Sequence, residues 1–133
     1  MAILNGNGKK RVLIVDDEDL TRILLSQVLE RANVGPVEVL MAEDGEEAVQ
    51  MARQSRPDLV LLDLLLPKMN GYEVCKQLRA IPDYMPHIII LTARGQNTDR
   101  QQAKDSGAND FMTKPFNPSG LLAQLRALWG NAS

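Results

Sequence analysis

Residues Val12–Asp19 read VLIVDDED, four apolar side chains running straight into four acids. The strand they belong to, Arg11–Val15, shows no alternation of apolar and polar positions. Such a run marks a strand covered on both faces, as in a parallel sheet. The acids at its mouth are harder to place. Like charges crowded together repel, and the fold suffers unless a positive group compensates.

Working outward, short apolar runs alternate with amphipathic stretches. Leu20, Ile23, Leu24, Val28 and Leu29 follow helical spacing and predict a first helix with these residues on its inner face, ending before Asn33–Pro36. Val37–Ala42 alternates as a strand does, and Glu46–Gln54 reads as a helix closed by Ser55–Pro57. Leu59–Leu62 is again wholly apolar, with Asp63 at its end. Pro67–Gly71 is a loop, and Tyr72–Ala80 a helix whose inner face carries Val74, Cys75 and Leu78. His87–Thr92 is a fourth strand, Asn97–Ser106 a polar helix, and Asp110–Thr113 a fifth strand. The last helix sets Leu121, Leu122, Leu125, Leu128 and Trp129 on one face, so Trp129 is expected in the core. Cys75 reads as a small buried hydrophobe.

Five strands alternating with five helices predict an α/β domain, a doubly wound parallel sheet. Right-handed crossovers leave few topologies, and the flavodoxin-like order 2-1-3-4-5 makes strands 1 and 3 neighbours. Asp16, Asp17 and Asp63 then meet beyond the strand C-termini. Three carboxylates there suit a magnesium ion, a hard cation that takes one or two carboxylates and keeps several waters. Acids beginning a helix would explain Asp17 to Asp19 through the helix dipole alone. That does not account for Asp63, which ends a buried strand. Thr92 and Lys114 also close strands on this edge. A hydroxyl and an ammonium beside a metal-bound carboxylate make a phosphoryl site, with Asp63 as nucleophile.

Composition narrows the setting. The 133 residues suit one domain, expected over residues 10–130 after a flexible lead-in at 1–9. A net charge of −2 argues against a nucleic-acid-binding surface. The single cysteine points to a reducing compartment. No apolar run reaches membrane length and the N-terminus does not read as a signal peptide, so a cytoplasmic protein is expected.

The acid pair in VDDED, the run LLDLLLPKMNG around Asp63, LTA with Thr92, and GANDFMTKPF with Lys114 and Pro115 together resemble the response regulator receiver domains of two-component signalling, the CheY-like family. The resemblance covers Lys10 to Trp129. It implies a phosphoacceptor that assists its own phosphorylation and dephosphorylation, rather than an enzyme acting on a separate substrate. Asp63 would take phosphate from a histidine kinase or a histidine phosphotransfer protein. Magnesium would sit on Asp16, Asp17, Asp63 and the backbone carbonyl of Leu65, and Lys114 would pair with the phosphate. The Lys114–Pro115 bond would be cis. The switch would draw Thr92 toward the phosphate and turn Phe111 inward, remodelling a face for a downstream protein target or a phosphorylation-dependent homodimer. Leu65 and Arg94, two residues after the acceptor and two after the threonine, are expected to screen the acyl phosphate from water.

Two rivals remain. Asp17-x-Asp19-x-Thr21 matches the D-x-D-x-T pattern of haloacid-dehalogenase-like phosphatases, with Asp17 as nucleophile and Asp19 as general acid. Those enzymes need further acids after the lysine; none follows Lys114, and Asp63 is left without a role. A receiver-like module that binds partners without phosphate is the other, although such modules usually lose an acid or the lysine.

Overall fold

A computed structural model describes residues 9–93, 100–114 and 117–130. The strands are β1 (Lys10–Val15), β2 (Val37–Ala42), β3 (Leu59–Asp63), β4 (His87–Ala93) and β5 (Asp110–Lys114). Between and after them run α1 (Asp19–Arg31), α2 (Gly45–Ser55), α3 (Gly71–Arg79), α4 (Arg100–Ser106) and α5 (Pro118–Trp129). All strand pairs are parallel, in the order β2-β1-β3-β4-β5. This is the flavodoxin-like arrangement expected from the sequence. Of the expected fourth helix, residues 97–99 lie outside the described residues, as do Arg94, Pro115 and most of the lead-in.

The strict alternation of strand side chains divides the core into two layers. Leu13, Val15, Val60, Leu62, Ile88 and Ile90 meet Ala48, Val49 and Ala52 of α2 and Val74, Cys75 and Leu78 of α3. On the other face Val12, Ile14, Leu59, Leu61, Ile89 and Leu91 meet Leu25 and Leu29 of α1 and Leu121 and Leu125 of α5. Every residue of β3 is buried, which is why its sequence shows no polar face. Cys75 lies in the first layer, and burial raises its thiol pKa.

Helix starts follow local chemistry. Asp44 and Asn70 cap α2 and α3 by accepting from the backbone N–H of Glu47 and Glu73. Glu47 in turn accepts the N–H of Glu43, the residue before the cap. Asn117 caps α5, with Pro118 in the first turn, where its missing N–H is no loss.

The inner face of α1 departs from expectation. Leu20, Ile23 and Leu24 are exposed, at 67%, 48% and 42%, while Arg22, Leu25 and Leu29 are buried. Six of the thirteen residues are apolar and cover more than one face, so spacing alone does not fix the helix's rotation. On α5 only Leu121 and Leu125 are fully buried; Leu122 and Trp129 flank them, and Leu128 is exposed. Trp129 is therefore not interior. It lies at the margin of the second layer with the Lys10 ammonium 5.5 Å from its ring centroid.

Candidate functional site

The C-terminal ends of β1, β3 and β5 bring Asp16, Asp63 and Lys114 together. Register places Val15 beside Leu62 and Asp63 beside Leu91, so the acid tips of β1 and β3 are adjacent. Carboxylate oxygens of Asp16, Asp17 and Asp63 all lie within 4.8 Å of one another. Asp16 is fully buried and Asp63 almost so, while Asp17 is exposed at the mouth.

Asp16 is held on every side. One carboxylate oxygen accepts the backbone N–H of Glu18 at 2.9 Å and the other accepts Lys114 Nζ at 2.7 Å. Its N–H donates to the Ala42 carbonyl, and its own carbonyl accepts Arg22 Nη1 at 2.6 Å. Asp63 is less well served. Lys114 Nζ stands 3.4 Å from its Oδ2, and the Leu65 N–H is 3.4 Å from Oδ1. Burial, and then the charge of Asp16, push the Asp63 carboxyl up to about 6 against the pull of Lys114. Burial alone would lower the Lys114 pKa; its hydrogen bond to Asp16 and the charge of Asp63 outweigh that and raise it.

This imbalance tests the fit of a cation. The described site gathers three acids around one ammonium, and the second buried carboxylate remains short of positive charge. Oxygen-only donors in that number suit a hard divalent ion of magnesium type, which would be held by Asp16, Asp17 and Asp63.

Thr92 is fully buried at the end of β4, one residue past the partner of Asp63. Its hydroxyl lies 3.5 Å from the Met112 carbonyl of β5, at the limit of a hydrogen bond. Phe111 pairs in register with Ile90, two residues before Thr92, and is half-buried against the first core layer. With Ala103, Lys104 and Ala108 it lines a small cavity of about 130 Å³. Leu65 is 59% exposed at the rim above Asp63.

The chain after Asp63 is shaped by a close approach. Leu64 donates to the Leu91 carbonyl, and its own carbonyl accepts the Gly71 N–H at 2.8 Å. A Cβ on Gly71 would stand 2.7 Å from the Asp63 carbonyl oxygen, so only glycine lets α3 start there. Lys68, at φ +70, reaches back to Asp44 and Glu46 at the start of α2.

Arg22 went unread in the sequence, and Leu20, Ile23 and Leu24, expected on the inner face, form an exposed row instead. One signal was available: a charged residue three and seven positions before Leu25 and Leu29, on the same face.

A family model of the response regulator receiver domain matches residues 12–126. The alkaline phosphatase synthesis transcriptional regulatory protein PhoP of Bacillus subtilis is 44% identical over 119 residues, covering 90% of this chain and 48% of its own. The chain spans about half the length of the curated relatives it matches. Among solved structures, the chemotaxis response regulator CheY4 of Vibrio cholerae is 35% identical, with a TM-score of 0.80 over 90% of this chain and 98% of that one. The receiver domain of the sensor histidine kinase PA1611 of Pseudomonas aeruginosa is 30% identical, with a TM-score of 0.78 over 91% and 97%; it carries a magnesium ion in its active-site cleft.

Proposed function

The chain belongs to the response regulator receiver domain family, and we propose that Asp63 is its phosphoacceptor, charged by a histidine kinase or a histidine phosphotransfer protein. The observation that carries this reading is the convergence of Asp16, Asp17 and Asp63 with Lys114 at one sheet edge. The domain comprises residues 10–130. Magnesium would be held by the three aspartates and the Leu65 backbone carbonyl, and supplies positive charge to balance the incoming phosphoryl oxygens.

In the transfer, an Asp63 carboxylate oxygen bonds to phosphorus as the phosphorus–nitrogen bond of the donor's phosphohistidine breaks. Lys114 pairs with a phosphoryl oxygen once its hold on Asp16 is shared with the new charge. Thr92 donates its hydroxyl to the phosphoryl group, vacating the space beside Ile90 that Phe111 then fills. Pro115, assigned to the same switch, and Arg94, assigned with Leu65 to shielding the acyl phosphate, lie outside the described residues. The output is a population shift of the face formed by α4 and β5, which a downstream protein or a second copy reads. The chain acts as a signalling protein in the cytoplasm, and this domain makes no nucleic-acid contact. Among the described residues no helix is long and apolar enough to cross a membrane.

The exposed row on α1 supports the donor assignment. Leu20, Ile23 and Leu24 stand beside the mouth that a phosphohistidine must enter, where an apolar helical surface of the donor can dock. The groove continues between α1 and α5, about 430 Å³ lined by Leu24, Val28, Pro118, Leu122 and the stem of Lys114.

Intact mass after incubation with acetyl phosphate tests the assignment, with and without magnesium, in wild type and Asp63→Ala. One added phosphoryl group that needs both magnesium and Asp63 is expected. No gain would favour a module that binds partners without phosphate. A gain that persists in Asp63→Ala and disappears in Asp17→Ala would instead identify Asp17 as the nucleophile of a phosphatase.

A further inference from the structure

We infer that Arg22 is a positioning residue for the divalent-cation site: it pins the backbone of Asp16 and holds Asp19 and Glu43 aside, so that Asp16, Asp17 and Asp63 alone face the ion. The inference rests on the reading of that edge as a magnesium site.

Arg22 is 8% exposed, and a guanidinium that far from water is costly unless its donors are partnered. Each partner belongs to the acidic edge. Nη1 donates to the Asp16 carbonyl at 2.6 Å, Nη2 donates to Asp19 Oδ1, and Nη2 stands 3.5 Å from Glu43 Oε1. One side chain thus joins the end of β1, the first turn of α1 and the connection from β2 to α2.

The first contact has a specific cause. In a parallel pair a residue's N–H and C=O point toward the same neighbouring strand. The Asp16 N–H still finds the Ala42 carbonyl, but β2 ends at Ala42. The Asp16 carbonyl therefore projects past the end of its ladder, and Arg22 supplies the donor that the missing strand residue would have given. This fixes the peptide between Asp16 and Asp17, from which both metal-facing carboxylates depart.

The other two contacts sort charge. Asp19 and Glu43 are largely exposed carboxylates at the same edge, and neither belongs to the cluster within 4.8 Å. Magnesium demands near-octahedral geometry and few carboxylates, whereas calcium accepts more oxygens in looser arrangements. Acids released from Arg22 would enrich the site in oxygens and relax its geometry, favouring the larger ion. Outer groups that orient metal ligands typically change affinity by about 10- to 100-fold when removed.

The test is NMR titration of the unphosphorylated chain with magnesium chloride and with calcium chloride, in wild type, Arg22→Met, Arg22→Lys and the triple variant Arg22→Met/Asp19→Asn/Glu43→Gln. Expected is magnesium affinity lower by about tenfold in Arg22→Met, with preference shifted toward calcium. Arg22→Lys, with one ammonium for three acceptors, should fall between. The triple variant should regain preference for magnesium, because the acids that Arg22 restrains are neutral. A merely structural arginine would show no such recovery, and its absence would overturn the inference. So would unchanged selectivity in Arg22→Met or, should that variant not fold, in Arg22→Lys. A wild type that binds no magnesium would overturn the reading of the site itself, a result separable from both.

Discussion

The Lys114 ammonium stands 2.7 Å from Asp16 and 3.4 Å from Asp63, so the cation of the site is spent mainly on the deeper of its two buried acids. Glu18 adds a third carboxylate at 3.5 Å from the same nitrogen. Asp63 is left with incomplete neutralisation, and the physical consequences follow from that.

The Asp63 carboxyl sits at about 6, above the 3.8 of an unperturbed aspartate. In the folded chain it therefore holds a proton over a pH range in which the unfolded chain has released it. The stabilising contribution is fully present below about pH 4 and is lost as pH rises through about 6. With roughly 1.4 kcal/mol per pKa unit, the loss is on the order of 3 kcal/mol. Urea unfolding in chelator, at steps from about pH 4 to about pH 7, should show this decline. Asp63→Asn should flatten it and be the more stable protein at neutral pH. Equal pH profiles for the two would contradict the assignment of this charge imbalance to Asp63.

Lys114→Met should destabilise the metal-free chain by about 3 kcal/mol, because it leaves the fully buried Asp16 carboxylate without its ion pair. Added magnesium should recover part of the loss, which thermal unfolding with and without the ion measures. Labelling by acetyl phosphate should also slow markedly. Lys114→Arg should not restore the wild-type rate, since a planar fork does not replace a point charge.

Gly71→Ala should cost about 1–3 kcal/mol, the usual range for forced overpacking. The atoms a Cβ would meet, the Asp63 carbonyl oxygen at 2.7 Å and Leu64 Cα at 2.9 Å, are backbone and cannot rotate away. The displaced backbone is that of Asp63, the proposed acceptor, so phosphorylation should slow together with the fall in melting temperature. A variant that loses stability yet labels at the wild-type rate would show that the strain relaxes into α3 instead.

Leu20→Ser and Leu24→Ser alter exposed positions and should change stability by no more than about 0.5 kcal/mol. Transfer from a phosphohistidine protein should slow severalfold, while labelling by acetyl phosphate stays at the wild-type rate. Equal slowing with both donors would place the effect in the acidic edge rather than in docking.

Much of the site was legible because a parallel sheet sends every strand's C-terminus to one edge. An acid or lysine that closes an apolar run is then on that edge wherever it falls in the chain, and Asp16, Asp63, Thr92 and Lys114 each close such a run. The division of the core followed equally from alternation within β1, β3 and β4. Helix faces were less legible. On α5 the apolar residues outnumber those the sheet can cover, so Leu128 is exposed and Trp129 lies at the margin.

The sequence by itself determined the order of elements, the apolar strands and which residues stand at their ends, since these depend on local spacing and on the handedness of crossovers. Tertiary structure decided how α1 is rotated and which acid Lys114 serves. Both choices are set by groups distant in the chain. The Asp16 carbonyl, beyond the end of β2, accepts from a buried Arg22, while Leu20, Ile23 and Leu24 of the same helix lie exposed. The ammonium of Lys114 settles on the carboxylate that has lost the most water. Hydrophobic spacing carries no information about an unmet hydrogen bond or a buried charge, and at this edge those are the terms that decide.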